Sequence, residues 1–213
     1  MEIIPTKTPY FFKFIFPKYT WDFYTKEKGK HLYLTFDDGP IPEITEFVLH
    51  QLKQYNAKAT FFCIGENIKK HPSIFIKIIK EGHSIGNHTM NHLKAWKSDT
   101  ETYIENVISC ENQIYQFITP HKKLFRPPYG QISQPKLYRL KEMGYDIILW
   151  DIVAKDWKKN LSPQQCARNV ITYSKNGSIL VFHDSIKAYK NLKYTLPKIL
   201  AHFSEKGYTF RKI

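Results

Sequence analysis

The sequence predicts an α/β fold built on a parallel sheet, and three observations carry that expectation. From His31 onward, short apolar or β-branched runs alternate with longer amphipathic ones. Glycine and proline stand where helices should stop and start. The unusual polar residues fall just after the strands, where parallel α/β folds bind ligands. Element by element, HLYLTF (31–36) reads as the first strand, followed by a helix near 42–55 and a second strand at ATFFCI (59–64). Pro72 opens a helix over 72–81 with Ile74, Ile78 and Ile79 on one face, and a brief strand covers 83–86. A long helix near 99–118 leads to a strand at 123–126. The helix at 134–143 ends at Gly144, before the strand YDIILWDI (145–152). Ser162-Pro163 opens a helix over 163–175, GSILVFH (177–183) is a strand, and the last helix, near 192–206, ends at Gly207 before YTFRKI (208–213). Seven strands alternating with helices imply βα units, a parallel sheet, and a barrel or doubly wound architecture.

Length and composition set the outer bounds. A chain of 213 residues, 42% hydrophobic and 24% charged, fits one globular domain and excludes disordered, collagen-like and disulfide-scaffold classes. Residues 1–28 read as an aromatic-rich N-terminal extension and 29–213 as the domain proper. The start is cut by Pro5, Pro9, Lys13 and Pro17 and shows no cleavage site, so it reads as neither a secretory signal nor a membrane span. The aromatics of residues 10–24 are expected to pack over one mouth of the fold, the alternative being association with a membrane surface. Cys63, Cys110 and Cys166 are odd in number and widely spaced, which suits a reducing compartment and hence a cytoplasmic protein, with a peripheral membrane location as the alternative. A net charge of +13 invites a nucleic-acid reading, but the basic residues are 28 lysines and only four arginines spread along the chain. A solvated lysine surface is the expected account, with no nucleic-acid partner.

The chemistry-bearing residues need several segments to converge. Asp37 and Asp38 follow strand one, His88 and His92 follow strand three, Arg126 ends strand four, Asp156 and Trp157 follow strand five, and His183 ends strand six. Singly, each has a plain structural explanation: Gly39-Pro40 signals a turn beside the aspartates, Arg126-Pro127-Pro128-Tyr129-Gly130 is a bent loop, and His183 suits a satisfied core position. His88 and His92, four apart, would share one face of a helix and reach one metal if the segment is helical. Collected on one rim, they form a site.

These segments resemble the motifs of the polysaccharide deacetylases of carbohydrate esterase family 4, the NodB homology domain: TFDDGP (35–40), HTMNH (88–92), RPPYG (126–130), DIVAKDW (151–157) and VFHD (181–184). The resemblance implies a distorted (β/α)7 barrel, TIM-barrel-like. It implies that Asp38, His88 and His92 hold one divalent metal, zinc foremost with cobalt or nickel as alternatives, and that Asp37 is the general base. His183 would be the acid, Arg126 would orient Asp37, and Asp156 would partner His183. The backbone N–H of Tyr129 would stabilise the oxyanion, and Trp157 and Pro127 would line the substrate site. The implied activity is removal of acetyl groups from N-acetylated amino sugars in a glycan such as chitooligosaccharide or peptidoglycan, by a monomer. An O-acetyl esterase acting on xylan-type substrates, and an inactive glycan-binding barrel, are the alternatives. Ser84 and Val181, where relatives commonly have Glu and Leu, and the apolar Ile152-Val153-Ala154 are departures that bear on the sugar-binding groove rather than on the reacting groups.

Overall fold

The computed structural model describes residues 5–24 and 29–213; the expectations for residues 1–4 and 25–28 lie outside it. Its central strand is β1 (His31–Asp37), in which all seven residues are buried. Burial on both faces is what a parallel strand covered by helices demands. β2 (Thr60–Cys63) and β7 (Ile179–His183) flank it in parallel, with Asp37 registered opposite Phe62 on one side and His183 on the other. Outward from β2 come β3 (Ser84–Asn87), β4 (Lys123–Phe125) and β5 (Tyr145–Ile147); outward from β7 comes β6 (Ile152–Val153). β8 (Thr209–Arg211) pairs with the first half of β1.

The run YDIILWDI does not form one regular strand. Its first half pairs with β4 and its second half with β7, so the chain itself crosses from one edge of the sheet to the other over residues 148–151. Ile148 N–H donates to Phe125 O at 2.8 Å, and Asp151 N–H donates to Ile179 O at 3.1 Å. This seam closes a curled parallel sheet into a distorted (β/α)7 barrel. The N-terminal segment lies along it: Thr8 N–H bonds Asp151 O, Thr20 N–H bonds Ile147 O, and Val153 N–H bonds Thr6 O, at 2.8, 2.9 and 2.9 Å. An otherwise exposed strand edge is thereby paired. Buried Asp151 draws in Lys13, the Tyr24 hydroxyl and Ser178 around the same seam. Of the aromatics expected to pack here, Tyr19, Trp21, Phe23 and Tyr24 are half-buried, whereas Tyr10, Phe11, Phe12 and Phe14, all in the short helix α1 (Tyr10–Ile15), which buries none of its residues, stand exposed.

Strand periodicity decides which residues reach the barrel interior. On β1, Leu32, Leu34 and Phe36 face the helices, while Tyr33, Thr35 and Asp37 face inward. On β7, Leu180 and Phe182 face out, and Ile179, Val181 and His183 face in. The outer layer is the main core: Phe36 stacks on Phe61 and Phe182 at 5.1 and 5.8 Å between ring centres. Helices α2 (Ile44–Gln54), α4 (Pro72–Lys80) and α8 (Tyr189–Glu205) cover it with Val48, Leu52, Phe75, Ile78, Leu196 and Ile199. Each such apolar side chain contributes roughly 1.5–3 kcal/mol by burial. α5 (Thr100–Tyr115) and α6 (Gln134–Glu142) close the β4–β5 side, and α7 (Pro163–Tyr173) packs on α8. Ser162 and Gln165 cap α7 reciprocally, as the Ser162-Pro163 signal predicts. Helix α3 (Gly65–Lys70) has no counterpart in the sequence pattern, because GENIKK carries a single large apolar residue and therefore no period.

Candidate active site

The inward rows of β1 and β7 end at the carboxyl rim on Asp37 and His183, neighbours in register that both line a cleft of about 530 Å³. Asp37 is buried against a fully buried arginine: Arg126 Nη1 donates to Asp37 Oδ1 at 2.7 Å and to Thr35 Oγ1 at 2.6 Å. Arg126 Nε and Nη2 donate to the carbonyls of Ile148 and Leu149 at the barrel seam, at 3.1 and 3.0 Å. A buried charge needs this degree of satisfaction. The guanidinium has little freedom left, so the carboxylate it grips is fixed as well.

Asp38 turns the other way, at a left-handed φ of 86°. Its Oδ1 lies 3.5 Å from His92 Nε2 and 3.8 Å from His88 Nε2, and the three potential ligand atoms are all within 4.8 Å of one another. His88 Nδ1 hydrogen-bonds Arg126 O at 2.7 Å, which fixes the ring and leaves Nε2 facing Asp38. Burial, with the neighbouring His92, holds His88 down at about 3. Burial likewise lowers His92, so both imidazoles are neutral and ligand-ready at ordinary pH. The two histidines are not on a helix. They converge because Thr89 and His92 adopt left-handed backbone, with φ of 68° and 60°, in a loop tied by Leu93 N–H to Thr89 Oγ1 at 3.1 Å.

In the same cleft, Asp156 holds His183 twice, accepting from its backbone N–H at 2.8 Å and from Nδ1 at 2.9 Å. Burial alone would lower the basicity of this imidazole, but the Asp156 carboxylate and its hydrogen bond override burial and hold it up at about 9. His183 is therefore protonated at neutral pH, with Nε2 left for the cleft. Trp157 lies edge-on to it at 4.6 Å. Pro127 and Tyr129 form the opposite wall, where Tyr129 sits on His92 at 4.7 Å in a tight turn, with a left-handed φ of 61°.

Sequence reasoning assigned Asp184 no role, yet it organises the first motif. Fully buried, it accepts from Gly39 N–H at 3.0 Å and from Thr45 Oγ1 at 2.5 Å. Burial raises its carboxyl to about 8. Its hold on Gly39 fixes the residue next to Asp38. A second unassigned feature is backbone strain. Of the seven non-glycine residues with positive φ among those described, Asp38, Thr89, His92, Tyr129 and Lys155 all lie in or beside these motifs. Each such conformation costs on the order of 1–3 kcal/mol and persists where surrounding structure over-determines it.

Residues 24–148 match the polysaccharide deacetylase family, more than half of the chain. The chain belongs to that family. Over 193 residues it is 38% identical to a peptidoglycan-N-acetylglucosamine deacetylase of Bacillus cereus, covering 90% of this chain and 89% of that one. A second Bacillus cereus protein of the same description is 36% identical over 194 residues, covering 91% and 70%. Among solved structures, the Bc1960 peptidoglycan N-acetylglucosamine deacetylase superposes with a TM-score of 0.87 at 33% identity, covering 97% of this chain and 95% of that one. A family 4 carbohydrate esterase from Streptomyces lividans, in complex with acetate, gives 0.77 at 27% identity, with 87% and 93% covered. Among the described residues, no helix is long and apolar enough to cross a membrane.

Proposed function

We propose that this polysaccharide deacetylase is a metal-dependent hydrolase that removes the acetyl group from N-acetylated amino sugars of a peptidoglycan-type glycan, with Asp37 as base and His183 as acid. One observation carries the reading: a carboxylate held by a buried arginine and an imidazole held charged by a buried carboxylate line one cleft with a three-ligand cluster. The cluster suits a divalent ion by its chemistry. Asp38 Oδ1 is buried with no hydrogen-bond partner, and one carboxylate with two neutral imidazoles leaves coordination positions open, as a catalytic zinc requires. Zinc is the ion we assign, held by Asp38, His88 and His92. When bound, it supplies Lewis-acid polarisation of the acetyl carbonyl and acidifies water.

The chain's own groups do the rest. Asp37 accepts the proton of the attacking water, and Arg126 keeps its carboxylate aimed. The Tyr129 backbone N–H is the donor we assign to the oxygen on which negative charge develops. Pro127 and Trp157 enclose the acetyl methyl and exclude water. His183 Nε2 gives its proton to the departing sugar nitrogen, which cannot leave as an anion, and Asp156 stabilises the imidazolium until that moment. The test is mass spectrometry of peptidoglycan strands and chitooligosaccharides after incubation with zinc-loaded protein. A loss of about 42 Da per acetyl, the mass change of hydrolytic acetyl removal, is the expected result; unchanged masses on every N-acetylated glycan would overturn the reading.

A further inference from the structure

We propose that helix α1 is a membrane-docking face, whose partner is the interface of an anionic lipid bilayer. The proposal does not depend on the deacetylase reading. α1 is built inside out. Its one charged residue, Lys13, points inward, where the ammonium meets Asp151 Oδ1 at 2.5 Å and Asp22 Oδ2 at 2.6 Å. Its apolar residues point outward: Tyr10, Phe11, Phe14 and Ile15 are 78, 61, 81 and 47% exposed. A surface helix of a globular domain does the reverse, burying its apolar stripe and wetting its charges. The other exposed large apolar residues are scattered along the chain, as is ordinary, whereas a contiguous patch of this kind marks an interaction surface.

The patch is held in a fixed orientation. Phe12 N–H donates to Pro9 O and Phe16 N–H to Phe12 O, both at 3.0 Å, which closes the helical turn. Phe12, Phe16, Tyr19 and Trp21 then form a chain of ring contacts, with centres 6.3, 6.0 and 5.8 Å apart, that leads from the exposed face to half-buried positions. Trp21 Nε1 donates to Phe16 O at 3.1 Å, and the Lys13 ion pairs pin the helix from beneath. Rings presented this way lose little freedom on docking.

Charge selects the occupant. From Pro5 to Trp21 the sequence holds Lys7, Lys13 and Lys18 and no acidic residue. Lys18 Nζ lies 3.9 Å from the ring centre of Tyr138, and Lys7 Nζ donates to Tyr173 O at 3.1 Å, so two more exposed tyrosines stand beside the lysines that flank the helix. Phenylalanines bordered by tyrosine and lysine match a bilayer interface: phenyl rings enter the acyl boundary, while tyrosine hydroxyls and lysine ammoniums stay among the headgroups. The net charge of +13 draws the chain to an anionic surface. The same charge sets two copies of the chain against each other, which argues against self-association as the cover for this face.

The experiment is co-sedimentation of the full chain with vesicles of phosphatidylcholine alone, or of phosphatidylcholine and phosphatidylglycerol in equal parts. The mixed vesicles should bind about tenfold more tightly than the neutral ones, the worth of two lysines at an anionic surface. The double variant F11S/F14S changes only exposed side chains, so its circular dichroism and melting curve should match the parent's. Its binding to the mixed vesicles should be weaker by about tenfold or more, because two rings no longer enter the interface. The emission that Phe14→Trp adds to the parent's should shift to the blue on the mixed vesicles and be quenched by brominated acyl chains, which locates the helix itself in the bilayer. No sedimentation with mixed vesicles would overturn the proposal. Undiminished binding by folded F11S/F14S would overturn it too, since the lysine surface would then bind lipid without the helix. Equal binding to both vesicle types would refute the choice of an anionic surface. Self-association that rises with protein concentration and is abolished in F11S/F14S, without vesicle binding, would make a second copy the occupant and overturn the proposal.

Discussion

Replacing Asp156 by Asn isolates the group that keeps His183 charged. Asp156 and its hydrogen bond bring this imidazole from its ordinary 6.5 to about 9 against the opposing effect of burial. That difference of about 2.5 units corresponds to roughly 3 kcal/mol favouring the imidazolium. With Asn, the amide keeps a similar shape and the Asp156 charge is gone, so burial is opposed only by the lesser pull of Asp38 and Asp37 and His183 should titrate well below its folded value. The acid must be protonated to act, so activity is present below the folded value and lost as pH rises through it. At pH 8 the protonated fraction should fall from about 90%, with a loss of kcat on an amide substrate that reaches about 30-fold for an imidazole back at its ordinary value, while at pH 6 most of the activity returns. The assay is the pH profile of acetate release from an N-acetylated glycan, with the metal content of both proteins measured. A high-pH limb that stays put in the variant would refute the argument that Asp156 holds the proton on His183.

Three further perturbations probe the rest of the rim. Asp37→Asn should retain the metal and lose about 10²–10⁴ in kcat, whereas Asp38→Asn or His92→Ala should lose the metal itself; metal analysis of the purified variants reversing that order would exchange the two aspartates' roles. His183→Ala should cripple deacetylation of an amide while largely sparing an activated aryl acetate, whose phenolate leaves unprotonated; equal losses on both would make His183 a binding group. Gly39→Ala would place a methyl 2.0 Å from Asp184 Oδ2, the oxygen held by Thr45 while Gly39 N–H holds Oδ1, so it should destabilise by about 1–3 kcal/mol with a matching fall in melting temperature. An unchanged melting curve would show that this pocket yields.

The parts of this molecule legible in its sequence are those that follow from period and punctuation. Alternation along HLYLTFD and ILVFH fixes which side chains face inward, and so carries Asp37 and His183 to the rim on the same side of the sheet. What escaped notice depends on long-range closure. YDIILWDI contains no turn signal, so nothing local announces that its two halves pair with opposite edges of the sheet, or that Arg126 anchors to the carbonyls where they part. The spacing of His88 and His92 suits a helix, but left-handed Thr89 and His92 bring them together in a loop, and a β-branched threonine in particular does not advertise that backbone. Asp184 sits beside His183, yet its side chain turns away into the Gly39 loop, an arrangement set by contacts over a hundred residues apart in the chain.

The central claim is hydrolysis of an N-acetyl group by a metal held on Asp38, His88 and His92. Acetate release from N-acetylated peptidoglycan strands should be measured on the same protein as purified, after chelation, and after zinc is restored. The account predicts one acetate per new free amine, loss of release on chelation, and recovery with about one zinc ion per chain. Release that persists undiminished in protein shown to be free of metal, or no release by the zinc-loaded protein, would contradict it.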